Sequence, residues 1–109
     1  MFAHRARAMA GRLGVASEGI TRSDALTRHW DASDVVLVQA TLRPQQQVDL
    51  VERLVGRRPP PTVVAVTGHL ETELRQRLKA IGATLAAHSA MDRVVARALG
   101  VSDAARGRA

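Results

Sequence analysis

Two short stretches of this chain are apolar without interruption: Val35-Val36-Leu37-Val38 and Val63-Val64-Ala65-Val66. Such runs of β-branched residues, with no polar alternation, read as strands covered on both faces, which is the pattern of a parallel sheet. Between and after them the period becomes helical. Val48, Val51, Leu54 and Val55 predict a helix over Gln45–Val55, with Asp49 and Arg53 placed to pair at i,i+4. Leu70, Leu74, Leu78 and Ile81 predict a second over Leu70–Ile81, with Glu71–Arg75 and Glu73–Arg77 pairs on its surface. Gly56 and Gly82 stand where these helices should stop. Arg57-Arg58-Pro59-Pro60-Pro61 makes a rigid connection that cannot stay helical. The small, apolar Ala83–Ala87 predicts a third strand. Ser89 and Asp92 have capping-box spacing. They open a last helix, Ala90–Leu99, with Met91, Val94, Val95, Ala98 and Leu99 inward and Gly100 after it.

The first third of the chain is less regular. Phe2, Ala6, Met9 and Leu13 fall on one face of a helix over residues 2–13, and Gly14 suits its stop. Residues 15–24 admit a short strand near Val15–Ala16 or Gly19–Thr21. Ser23 or Asp24 is placed to cap a short helix through Ala25, Leu26 and Trp30. From Val35 onward the order is β-α-β-α-β-α. Right-handed crossovers turn that order into a three-layer α/β fold, a parallel sheet flanked by helices. Residues 101–109 read as a polar tail, which leaves a domain of residues 1–100.

Composition narrows the picture. A chain of 109 residues is one domain. Phe2 and Trp30 are its only aromatics, so the core is Val, Leu, Ile and Ala. Cysteine is absent, which excludes disulfides and thiolate metal sites and agrees with a reducing cytoplasm, the expected location. No apolar run reaches the roughly 20 residues that span a bilayer. The net charge of +6 comes almost wholly from Arg, with Lys79 the single Lys. Residues 1–30 carry five Arg against two acids, residues 31–62 four against four, and residues 63–109 seven bases against four acids. No tract clusters strongly and no aromatics are interleaved to stack on bases, so a small nucleic-acid-binding module is the alternative function.

The ordered set Asp34-Val-Val-Leu-Val-Gln-Ala-Thr-Leu42, Pro61-Thr-Val-Val-Ala-Val-Thr-Gly68 and Gly82-Ala-Thr-Leu-Ala-Ala-His-Ser-Ala90 resembles the receiver domain of response regulators. The likeness is nearest to receivers that precede LuxR-type DNA-binding domains, and it covers residues 3–100. The resemblance implies a flavodoxin-like sheet whose first strand is missing. It also implies an active edge that has lost its chemistry. Gln39 stands at the phosphoacceptor position, where an amide replaces the ionised nucleophile that phosphotransfer needs. Thr67 stands at the switch position and is retained. A Lys is absent near His88-Ser89, and the acidic pair that would hold Mg²⁺ has no counterpart.

In the flavodoxin-like order the first strand is central. Its loss leaves Val35–Val38 as an edge with unpaired peptide groups. Three outcomes are open: the Val15–Thr21 region pairs with that edge, a second chain supplies it, or the natural protein starts upstream of Met1. The function that follows is a phosphorylation-independent pseudo-receiver in signal transduction or transcription regulation, not an enzyme, acting through a protein partner or as a homodimer. By resemblance its contact face comprises Leu70, Leu74, Arg77, Met91, Val95 and Leu99. No cofactor or metal is expected, because His4, His29, His69 and His88 lack metal-ligand spacing. Ser89 reads as a cap and not a nucleophile. The nucleic-acid alternative would use Arg5, Arg7, Arg12, Arg75, Arg77 and Arg97.

Overall fold

The structure, a computed structural model, describes residues 2–100. Its elements are α1 (Phe2–Leu13), α2 (Arg22–Thr27), β1 (Val35–Gln39), α3 (Pro44–Val55), β2 (Thr62–Thr67), α4 (Thr72–Ala80), β3 (Thr84–Ala87) and α5 (Met91–Leu99). A turn of 3-10 helix, His88–Ala90, leads into α5. The three strands form one parallel sheet in the order β1-β2-β3, with Val35 beside Thr62 and Val64 beside Thr84. Helices cover both faces, as the uninterrupted apolar strands require. This is the three-layer α/β arrangement expected, and among the described residues no strand lies outside β1.

The pleat of β2 divides the core in two. Val63 and Ala65 face α3 and α4, where they pack with Val36, Val38, Val48, Val51, Leu54 and Leu78. Val64 and Val66 face α1 and α5 and meet Met9, Leu13, Ala86, Met91 and Val95. Every residue of β2 from Val63 to Thr67 is buried. β1 is covered less evenly: Val36 and Val38 are buried, whereas Val35, Leu37 and Gln39 stay half-exposed. α2 packs on α3, and Arg22 of α2 pairs with Asp49 of α3. The same Asp49 carboxylate forms an ion pair with Arg53 at 3.2 Å, the i,i+4 pair read from the sequence.

Several local expectations are corrected. No strand forms in residues 15–24; the segment crosses from the α1/α5 core, where Val15 packs, to the α3/α4 core, where Ile20 packs. Thr21, not Ser23 or Asp24, caps α2, its hydroxyl accepting from the Asp24 N–H at 3.1 Å. Trp30 lies beyond that helix and donates its indole N–H to the Ala25 carbonyl at 2.9 Å. α4 starts at Thr72, leaving Leu70 outside it. Ser89 caps nothing; Ala90 precedes α5 with no side-chain cap, and Asp92 pairs with Arg12 of α1 instead. Gly14, Gly82 and Gly100 do end their helices in the left-handed region, which a side chain enters only with strain.

No helix among the described residues is long and apolar enough to cross a membrane. The tail at 101–109 lies outside the described residues.

Candidate functional site

In an open parallel sheet the carboxyl ends of the strands gather the loops that bind ligands. Here those loops are 40–43 after β1, 68–71 after β2 and the 3-10 turn after β3. Gln39 ends β1 beside Val66 and is half-buried. Its side chain makes no hydrogen bond among the described residues. Thr67 ends β2 and is completely buried. Strand alternation places Gln39 with Val35 and Leu37 toward α1 and α5, and Thr67 with Val63 and Ala65 toward α3 and α4. Gln39 and Thr67 are close in the ladder, yet their side chains leave the sheet on opposite faces.

Two residues read from the sequence as surface ion-pair partners are what organise this edge. Glu71 does not bond Arg75. Its Oε2 accepts from the Gly68 N–H at 2.7 Å and from the Thr41 hydroxyl at 3.1 Å, tying the loop after β1 to the loop after β2. Arg75, one turn into α4, donates from Nη1 to the Thr67 hydroxyl oxygen at 2.8 Å. Thr67 therefore neither caps the following helix nor faces an open site; it holds a guanidinium. Glu73 and Arg77 form no ion pair among the described residues. The sequence does contain a signal for Glu71: it stands three residues after Gly68, the spacing at which a carboxylate returns to a backbone N–H at a helix start. Nothing in the sequence brings Arg75 back to Thr67.

The loop after β1 also carries strain. Arg43 has φ 53°, ψ 58°, the left-handed region at a non-glycine residue, immediately before Pro44 at the start of α3. Beside it Leu42 is 64% exposed, and Leu70 in the partner loop is 82% exposed. They are the large hydrophobics most open to solvent among the described residues. Each neighbours one partner of the Thr41–Glu71 hydrogen bond in sequence, so both sit on the linked loops of one edge.

No family model, curated protein or solved structure matches the chain.

The remaining expected site residues scatter. Met91 and Val95 are core residues, 2% and 5% exposed, and offer no contact surface; burial of α5 against β2 and β3 has used them. Leu74 and Leu99 are half-buried on opposite sheet faces, and Arg77 is exposed on α4. His69 is exposed and His88 half-buried in the 3-10 turn, its carbonyl accepting from Arg5 at 3.4 Å. No three His, Asp or Glu side chains converge among the described residues. Of the six Arg in the nucleic-acid alternative, Arg12 is paired with Asp92 and Arg75 with Thr67.

A groove of about 590 Å³ lies away from this edge, between β1, α1 and residues 15–20. On its rim Arg28 donates to both carboxylate oxygens of Glu18, at 2.9 and 3.0 Å, and lies over the Trp30 ring. The hydrogen bond and charge of Arg28 hold the Glu18 carboxyl below its ordinary value, and Glu18 in turn raises Arg28.

Proposed function

We propose that the domain is a phosphorylation-independent pseudo-receiver that signals through protein contacts made at the carboxyl edge of its sheet. One observation carries the reading: the carboxylate of Glu71 and the hydroxyl of Thr67 at that edge are already committed to other groups of the domain. The acid present, Glu71, is engaged by Gly68 and Thr41, the hydroxyl of Thr67 is engaged by Arg75, and the acceptor position holds an amide. An amide is no phosphoryl acceptor, and a carboxylate bound by two donors is a poor nucleophile. What the edge offers a partner is apolar: Leu42 and Leu70 on two loops held together by the Thr41–Glu71 bond. Exposed apolar side chains on a rigid frame suit a protein interface.

Incubation with acetyl phosphate and Mg²⁺ tests the reading. Intact-mass spectrometry should find no adduct, and amide NMR shifts at Gln39, Thr67 and Gly68 should not move. A stable phosphoryl adduct would overturn it.

Binding of nucleic-acid phosphates is a second reading, favoured by the layer formed by α1 and α5. Arg5, Arg7, Arg12, Arg93 and Arg97 stand there with Asp92 as the single acid of either helix. Arg75 and Arg77 are on the opposite layer and do not extend that surface.

A further inference from the structure

The outer edge of β1 is open. In the β1·β2 ladder the Thr62 N–H donates to the Asp34 carbonyl and the Ala40 N–H to the Val66 carbonyl. Peptide groups alternate in direction along a strand, so residues 34, 36, 38 and 40 point toward β2. The N–H and C=O of Val35, Leu37 and Gln39 then point away from the sheet, and no group among the described residues bonds them. Such a row of unpaired peptide groups is a template for another strand.

The surroundings of this edge are unlike an ordinary exposed edge. α1 lies on one side, presenting Phe2 and Ala6, and Ile20 and Trp30 lie on the other. Residues 15–20 cross the plane of the sheet beyond β1 without pairing to it. The volume left between is about 590 Å³. Strand spacings of about 3.3 Å along the chain, about 4.8 Å between neighbours and about 10 Å between layers give each packed residue roughly 160 Å³, so the groove has room for about four. The half-exposure of Val35 and Leu37 has the same origin, since they face a space that no side chain of the described residues fills.

We propose that this groove is a docking site for an extended apolar segment of another polypeptide, which joins the sheet as a strand beside β1. The occupant follows from three properties. Three residues of outward peptide groups, spaced as in a strand, are matched in full by another extended backbone and not by a helix, whose peptide groups bond internally. Apolar walls on both faces call for a segment apolar on both faces, like β2 itself. The edge forms the floor of a groove and not a ridge, so two copies of this chain cannot bring their β1 edges together. Around the groove Arg7 and Arg28 stand against Glu18 and Asp34, so it is the +6 charge of the chain as a whole that favours acidic flanks on the segment. The site is distinct from the carboxyl-edge loops and does not depend on the receiver reading.

The probe is the capped peptide Glu-Val-Thr-Val-Val-Val-Glu, added to the full chain while amide hydrogen exchange is followed by NMR. In the free protein the amides of Val36 and Val38 should be protected, and those of Val35, Leu37 and Gln39 should exchange rapidly. The peptide should slow these three by roughly tenfold or more. Its fully N-methylated analogue, which cannot donate to β1, should bind at least about tenfold more weakly. Leu37→Pro removes an outward N–H without breaking a ladder bond to β2, though it also trades the Leu37 side chain for the proline ring, and should abolish binding, whereas Leu37→Ala, which keeps the N–H, should retain it; Val35→Pro, at the first residue of the strand, makes the same comparison should Leu37→Pro fail to fold. Three results would each overturn the proposal: protection of Val35, Leu37 and Gln39 in the free monomer, protection that rises with protein concentration without peptide, or no protection when peptide is present.

Discussion

Thr67 and Arg75 illustrate how one residue's role depends on the partner that folding supplies. Thr67 is fully buried, and its hydroxyl has the Arg75 guanidinium as its hydrogen-bond partner. A buried hydroxyl left unpaired costs about 1–3 kcal/mol. Arg75→Met should therefore destabilise the wild type by about that amount, and should cost much less in a Thr67→Val background, where nothing is orphaned. Urea denaturation of the four proteins checks this; additive effects would mean that the 2.8 Å contact is not energetically coupled. The sequence placed Thr67 correctly at a strand end. It paired Arg75 with Glu71, because i,i+4 spacing is all a helix face reveals. The competing partners, Gly68 and Thr41 for Glu71, come into reach only once two loops lie side by side.

Elements were the most legible level. β1, α3, β2, β3 and α5 form within a residue or two of the limits that periodicity predicts, because each needs only local spacing and an apolar side to bury. The passage from α4 to β3 adds a tertiary demand. Ala83 N–H donates to the Leu78 carbonyl and Gly82 N–H to the Lys79 carbonyl, closing the helix as a Schellman turn. Gly82 there has φ 108°, and an added Cβ would stand 3.0 Å from Val55 Cγ1 of α3. Gly82→Ala should therefore cost about 1–3 kcal/mol, combining backbone strain with a clash. Gly100→Ala, at φ 74° with open space around it, should cost only the smaller backbone share. Thermal melting of the two variants distinguishes them: equal losses would remove the Val55 contact from the account. The short helix α2 and the segment before it were less legible, since six helical residues carry too little periodicity to announce their own cap.

At the scale of the molecule, the sheet separates two charge layers. α1 and α5 together carry five Arg and one acid, whereas α2, α3 and α4 mix Arg22, Arg53, Arg75, Arg77 and Lys79 with Asp24, Asp49, Glu52 and Glu73. Counterion release makes phosphate binding by such a layer steeply salt-dependent. Fluorescence anisotropy with a short DNA duplex should detect binding at low salt only. Arg5→Glu combined with Arg97→Glu should remove it, and Arg77→Glu on the far layer should leave it unchanged. Absence of binding even at low salt retires the nucleic-acid reading. The segregation was not visible in the sequence, where basic residues are spread along the chain, because only the right-handed crossovers bring the first and last helices to one side of the sheet.

The sequence by itself determined the parallel sheet, the helices that flank it and the amide at position 39. Those follow from hydrophobic spacing and residue identity, which act over a few neighbours. Only the tertiary structure decided that Glu71 and Arg75 occupy the polar edge, that Met91 and Val95 belong to the core, and that β1 borders a groove. Each of these depends on which distant segments share a surface, and a pattern of local spacing carries no such distances.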